Sequence, residues 1–451
     1  MADRFDLIVL GGDDSGFSAA LRASQLGMNV ALVVPEEDRA IVSQALLRQT
    51  HFLFRSLDAF DACEEAQKTG FAVKNFEYDF KRIKAEARNT IVAEDREQAA
   101  QIQKNGIRLF VASATPKSDG AVALTKEGKP LSEIQSRHIL YTPPARFDLA
   151  SQTENRLIWG LREALGDGLP KSIIVIGGGF FGLSLALFYG AVGVETTLVE
   201  TAPRLLPSED ADLSDFARRY AEKRAIHVFT AAEIEKTEPN GRSVTLTLQQ
   251  GVKTSLCTAQ RALIAPVKAA SNLALNLRET RAVLADGVVK TSPWYVSDEP
   301  GFYATGCAID PSCSANRAVK EALLCVERIA GIQGIAPLDR TFLPTCLDGP
   351  LPIARVGWTE AEAVRRGLPL RRGAGTDASG NAIAKLLFNE KTGAMIGGHL
   401  AGKGAALFIS LLSLAQTLES TEQELLRAAW PDHPVAQALQ AALRSAFVRE
   451  K

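Results

Sequence analysis

The chain predicts an α/β fold built on two strand–turn–helix–strand units. The apolar run Ser172-Ile173-Ile174-Val175-Ile176 opens onto a glycine turn, a helical stretch and a second strand ending in an acid. Residues 6–10, DLIVL, begin the same order of elements about 165 residues earlier. No apolar run approaches the length of a membrane span. Lys+Arg number 51 against Asp+Glu 52, a net charge of −1, so no basic stripe points to nucleic acid or a membrane surface.

The central unit, residues 171–200, reads KSIIVIGGGFFGLSLALFYGAVGVETTLVE. Gly177, Gly179 and Gly182 have G-x-G-x-x-G spacing, with a helix predicted over 183–191 and a strand over 195–199. Gly177 lets the chain turn, Gly179 lets backbone approach a pyrophosphate, and Gly182 lets the helix pack on the strand. The helix N-terminus supplies unpaired N–H groups and a positive dipole. Glu200, 18 residues past Gly182, is placed to accept from a ribose diol and to repel a 2′-phosphate, which favours NAD over NADP. Together these features predict a Rossmann-like, dinucleotide-binding domain.

In chain order, the strand at 6–10 runs into Gly11-Gly12-Asp13-Asp14-Ser15-Gly16, a helix over 17–26 and a strand over 29–34. Residues 40–68 read as helical. Residues 69–139 read as mixed strands and connections with a helix near 94–104. At 451 residues, two or three domains are expected. The N-terminus enters a strand directly, so no signal peptide is expected. The six cysteines lack a C-x-x-C pair and the five histidines are dispersed, which predicts reduced thiols, a cytoplasmic setting and no metal centre.

Two such units in one chain resemble the flavoproteins in which one unit holds FAD and the other NAD. Phe302-Tyr303-Ala304-Thr305-Gly306 resembles their second flavin motif. Residues 340–451 are similar to their C-terminal dimerisation domain, through ARVGWTEAEAVRRG, the hairpin KLLFNEKTGAMIGGHLAG and a last helix after His433-Pro434. The chain is identified as a member of the pyridine nucleotide–disulfide oxidoreductases, similar to dihydrolipoamide dehydrogenase. The resemblance implies an FAD-type Rossmann-like domain at 1–147 continued at 268–335, an NAD-type domain at 148–267, and an α+β dimerisation domain at 336–451. It implies NAD(H) contacts at Gly177, Gly179, Phe180, Gly182, Glu200 and Lys268, the last standing in for a family arginine. It leaves Gly11, Gly16 and Gly306 as residual FAD-type positions. Phe181 is bulkier than the family residue and is expected to crowd the nicotinamide.

Measured against that family, several motifs depart. The first glycine turn reads G-x-D-x-x-G, with Asp13 where backbone should face a pyrophosphate. Each like-charge pair at roughly 5 Å and an effective dielectric of 20 costs about 3 kcal/mol. Val34 replaces the ribose-binding acid, a loss of roughly 1.5–3 kcal/mol. Gly306-Cys307 stands for Gly-Asp, and Tyr141-Thr142-Pro143-Pro144 for Ala-Thr-Gly. The family's C-x4-C pair is absent from residues 35–44, Gln44 sits at its lysine, and Ser184 replaces a glutamate. His433 and Pro434 match the catalytic pair, but the acid position is Ala438. Cys307 and Cys313 read as small buried residues.

These departures make FAD doubtful, with Phe17, Pro143 and Pro144 expected to fill the cleft. They favour an NAD(H)-binding, dimeric scaffold or sensor without dithiol chemistry. The alternative is an FAD-dependent NADH oxidoreductase of diaphorase or oxidase type. Expected partners are a second copy, through a helix carrying Leu407, Ile409, Leu411, Leu412, Leu414 and Leu418 and buried on most sides, and a lipoyl-protein or 2-oxoacid dehydrogenase-like assembly.

Overall fold

The computed structural model describes residues 3–36, 39–72, 78–145, 147–148, 155–166, 168–265, 267–268 and 275–447. The chain forms two compact units, one from Met1–Arg48, Arg88–Asp148 and Val267–Arg340, the other from Gln49–Ala87, Leu149–Pro266 and Thr341–Lys451.

The first unit carries a seven-stranded mixed sheet. Its parallel part runs Arg108–Val111, Val30–Val34, Asp3–Leu10, Lys129–Tyr141, and Phe302–Ala304 also pairs in parallel with Lys129–Tyr141. Ala121–Lys126 and Ser113–Pro116 extend it antiparallel. The apolar run Leu7–Leu10 within Asp3–Leu10 follows from burial on both faces. Leu7 and Val9 join Ala19, Ala20 and Ala23 of the Asp14–Gln25 helix and Ala322 and Val326 of the Ala315–Ile329 helix. Ile8 and Leu10 point the other way, into a cluster with Val122, Leu124 and Ile134.

The second unit holds three sheets. A five-stranded parallel sheet runs His227–Phe229, Glu195–Val199, Ser172–Ile176, Arg261–Ile264, Ile158–Trp159. In the antiparallel sheet Glu233–Asn240, Ser243–Gln250, Lys253–Ala259 the central strand alternates, packing Val244, Leu246 and Leu248 on Ile174, Val199 and Ala262. The C-terminal part is a five-stranded antiparallel sheet with the Ala405–Thr417 and Pro434–Phe447 helices in its core. Gly373 and Gly375 let the last helix settle on the edge strand Leu370–Thr376. A Cβ at Gly375 would come within 2.5 Å of Ala441 Cβ, and one at Gly373 would strike the Ala442 carbonyl oxygen. Lys385 is buried in this unit, its ammonium 2.7 Å from Asp210, 2.5 Å from Asp212 and 2.5 Å from Glu360. These carboxylates are close enough together to hold a metal ion, but Lys385 Nζ already lies within 2.7 Å of each and offsets part of their charge.

Three local expectations differ from the structure. The helix expected near 94–104 runs from Phe80 to Lys104, and along it only Phe80, Ala87 and Ile102 are buried. A helix so polar on all sides has no apolar stripe to read. The Asp14–Gln25 helix starts three residues before the expected 17 because Asp13 caps it. The Ala405–Thr417 helix is not buried on most sides. Phe408, Ile409 and Leu412 enter the core, while Leu407, Leu411 and Leu414 are exposed.

Candidate dinucleotide sites

In the second unit, strand Ser172–Ile176 emerges into Gly177 at φ +105°, a conformation that favours glycine. A Cβ on Gly182 would strike the Gly177 carbonyl oxygen, so helix and turn touch backbone to backbone. Gly179 is the N-cap of the Phe180–Ala191 helix, makes no side-chain cap, and has open space where a Cβ would project. The first turn carries no acid. The helix therefore presents unpaired N–H groups and its positive end to an open approach, the physical requirement for an anion. Glu200 is buried beside the turn, accepting from Gly178 N at 2.5 Å and from Ala202 N at 2.7 Å. Oε1 also accepts from Thr201 Oγ1 at 3.3 Å, so the carboxylate braces the glycine loop and Oε2 keeps a lone pair for a hydroxyl.

Phe180 and Phe181 stand edge to face, with centroids 5.4 Å apart. Phe181 also meets the His51 ring at 6.1 Å, and the Phe180 ring crowds Gly349, where a Cβ would lie 3.1 Å from Cζ. His51 Nδ1 lies 3.2 Å from the Asp348 carbonyl oxygen, and burial lowers its pKa. Sequence reasoning missed His51 because a lone histidine in a long helix has no pattern around it. Lys268 pairs through its backbone with Phe147, and its side chain lies outside the described residues.

The first unit's turn is built differently. A Cβ on Gly11 would strike the Thr142 carbonyl oxygen, and one on Gly16 would lie 2.7 Å from the Gly11 carbonyl oxygen. Asp13 does not project as a free anion. Its Oδ1 accepts from Ser15 N and Gly16 N, each at 3.2 Å, and from Ser15 Oγ at 2.6 Å. Ser15 Oγ lies 2.6 Å from Thr142 Oγ1. Burial raises the Asp13 pKa against the pull of the Ser15 and Gly16 hydrogen bonds, and so disfavours the charge on which the repulsion argument rested.

Nor is the cleft closed. A cavity of about 260 Å³ lies at the carboxyl ends of the first strands, lined by Gly11, Val33, Glu36, Tyr141, Pro143 and Pro144 among others. The two prolines form its wall, and Phe17 packs instead into the helix-side core. Gly306, at φ +61°, donates to Glu321 Oε2 at 2.8 Å. Glu321 is wholly buried and also pairs with Arg317 at 3.0 Å and Arg340 at 2.9 Å.

None of the six cysteines is joined in a disulfide. A hydrogen bond from Cys307 and burial push the Cys313 thiol up, and burial pushes up Cys325, the reverse of what a nucleophilic thiolate needs. His433 begins the last helix, its Nδ1 accepting from Val435 N at 3.2 Å and its ring stacked at 5.1 Å on Phe408. Ala438 is fully buried in the C-terminal core.

This geometry meets the comparisons with known proteins. The family model described as "Pyridine nucleotide-disulphide oxidoreductase" matches residues 5–322, and its dimerisation domain matches residues 343–443. The chain belongs to the pyridine nucleotide-disulphide oxidoreductase family. Family members similar to it include a dihydrolipoyl dehydrogenase of Rhizobium etli, 31% identical over 484 residues and covering 100% of this chain and 99% of that one. The Zymomonas mobilis dihydrolipoyl dehydrogenase is 28% identical over 462 residues, at 100% and 99% coverage. That of Bacillus subtilis is 24% identical over 462 residues, with 97% of each chain covered.

The expectation that FAD is doubtful is corrected by these matches. The oxidoreductase model covers the first glycine turn and the Phe302–Gly306 motif alike, and the matching relatives are members of an FAD-binding family. The inward-turned Asp13 and the open cavity remove two of the physical objections, while Val34 and Cys307 still stand where the family carries carboxylates. Among the described residues, no helix is long and apolar enough to cross a membrane.

Proposed function

We propose that this chain is a dimeric, NAD(H)-binding member of the family in which dithiol–disulfide exchange is impaired, so that it works as a nicotinamide-responsive scaffold or sensor. The observation that carries this reading is the cysteine inventory. None of the six cysteines is joined in a disulfide, and residues 35–44, where the family's pair belongs, contain none. Without a thiol pair there is no covalent route for two electrons to a disulfide substrate. The seating of His433 supports the same reading: its Nδ1 is spent on a helix cap and the acid position is Ala438.

NAD(H) is assigned to the second unit. Its pyrophosphate would sit on the open N-terminus at Gly179, its ribose beside Glu200, and the Phe180–Phe181 pair would limit the room left for the nicotinamide. FAD, when bound in the first unit, supplies a two-electron carrier. Gly11 and Gly16 would give it close backbone approach, and Glu36 offers the cavity a carboxylate in place of the one missing at Val34. The three-domain division, a reducing cytoplasmic setting suited to six cysteines without a disulfide, and a lipoyl-protein or 2-oxoacid dehydrogenase-like assembly as partner belong to the same proposal.

The test combines two measurements on the purified full chain. Calorimetric titration is expected to find NADH binding that Glu200→Ala weakens. Assay with NADH and lipoamide is expected to find no turnover above the protein-free rate. Lipoamide reduction that scales with enzyme concentration would overturn the proposal.

A further inference from the structure

The glycine turn lies at the carboxyl ends of the second unit's parallel strands. At the amino ends lies a separate open groove of about 700 Å³, lined by Asn155, Arg156, Gly241, Arg242, Gln260 and Arg261 among others, and among the described residues by no acid. Arg156 precedes strand Ile158–Trp159, Arg261 opens strand Arg261–Ile264, and Arg242 sits on the hairpin between Glu233–Asn240 and Ser243–Gln250. Topology therefore brings three guanidinium groups, far apart in sequence, to one groove.

None of the three has a carboxylate partner among the described residues. Arg261 is held in place: Nη1 donates to the Gln260 carbonyl oxygen at 2.8 Å, and its guanidinium carbon lies 5.3 Å from the Trp159 ring centroid. Its Nε is shielded from solvent with no acceptor, and so is Nε1 of the buried Trp159. Gln260 Oε1 is taken by Lys171 N at 2.7 Å, so it does not offset the charge. Shielded as they are, these two atoms leave the outer Nη groups of the Arg261 fork to meet a ligand's oxygens.

We propose that this groove is a binding site for a small phosphate-bearing metabolite, distinct from the dinucleotide turn. The guanidinium is a rigid fork whose geometry matches phosphate oxygens, and three around one groove suit a ligand carrying several anionic charges. The volume falls in the range of small-molecule sites, roughly 300–1,000 Å³, rather than of an extended protein interface. The site goes beyond the proposed function and does not depend on it.

Tripolyphosphate is the probe, because it carries the charge without a nucleoside that would also enter the glycine turn. Calorimetry on the full chain is expected to show saturable binding that weakens as salt rises from about 50 to 200 mM. Arg156→Glu combined with Arg242→Glu, both exposed, is expected to weaken tripolyphosphate binding at least about tenfold, by loss of charge-assisted hydrogen bonds. NADH binding should stay unchanged. The paired Gln variants give a milder loss and guard against misfolding of the Glu pair. Equal affinity in the variants, no binding at millimolar tripolyphosphate, or tighter binding of a glutamate-rich peptide would each overturn the assignment.

Discussion

At the scale of the residue, the two glycine turns differ in what sits at the helix N-terminus. In the first, the Asp13 carboxyl occupies the N–H groups of Ser15 and Gly16; in the second, Gly179 leaves them open. Gly179→Asp should put a carboxyl in the second turn without the Ser15 hydroxyl that holds Asp13, because Phe181 stands at that place, so the new side chain should stay charged. A carboxylate within roughly 5 Å of a pyrophosphate costs about 3 kcal/mol at an effective dielectric of 20, so NADH affinity should fall by about 100-fold. Asp is among the better N-caps, and replacing such a cap by Gly costs only a few tenths of a kcal/mol, so thermal stability should hold or rise slightly. A titration paired with a melting curve separates the two effects. Loss of binding together with a collapsed melting temperature would mean that the loop had been deformed. Asp13→Ala, in contrast, should cost about 1 kcal/mol of stability by removing a cap, read from the urea midpoint.

At the scale of the element, packing decides what a side chain may be. Gly373→Ala pushes a Cβ into the backbone of the last helix, and a shift of that helix should cost about 1–3 kcal/mol in unfolding free energy. The Lys385 cluster gives a pH-dependent counterpart. Burial alone would raise the Asp210 and Glu360 pKa values, but hydrogen bonds from Lys385 hold both below their usual range. Depressed carboxylates lend stability that is present above their unfolded pKa values, near 4, and is lost as pH falls through the lower folded values. Lys385→Met leaves the buried Asp210 without its counter-charge, while Glu360 keeps Arg372, and should cost about 3–5 kcal/mol at neutral pH. Below about pH 4 the difference from the parent chain should narrow. Denaturation midpoints at several pH values would decide, and a gap independent of pH would remove the cluster from the account.

The same packing explains what could be read from the chain. Ser172–Ile176, Glu195–Val199 and the turn between them were legible because a strand buried on both faces must be apolar, and a tight turn onto a helix must be glycine. The Phe80–Lys104 helix was legible only over its last part, near 94–104, since its surface is polar nearly all round. Asp13 was misread because its type suggested a charge facing a ligand, whereas a residue just before a helix can spend its carboxyl on the first-turn N–H groups. His51 reaches Phe181 only through the tertiary fold, which no local pattern encodes.

At the scale of the whole molecule, the Ala405–Thr417 helix carries one more apolar face than the monomer uses. Phe408, Ile409 and Leu412 fill the C-terminal core, yet Leu407, Leu411, Leu414 and the adjoining Leu418 are 75%, 52%, 57% and 68% exposed. Their spacing of four, three and four residues places them on a single stripe. An exposed leucine stripe in a segment that matches the family's dimerisation domain has a natural occupant in the second copy of the same chain. Fully burying one such side chain contributes about 1.5–3 kcal/mol, so this stripe would supply a central part of a two-fold interface. Light scattering at micromolar concentration should return the dimer mass for the native chain. Leu411→Asp with Leu414→Asp should return the monomer mass, with far-ultraviolet circular dichroism unchanged because neither side chain is in the core. A native chain that scatters as a monomer would leave the stripe without its partner. A dimer that survives both aspartates would move the interface to another face of the molecule.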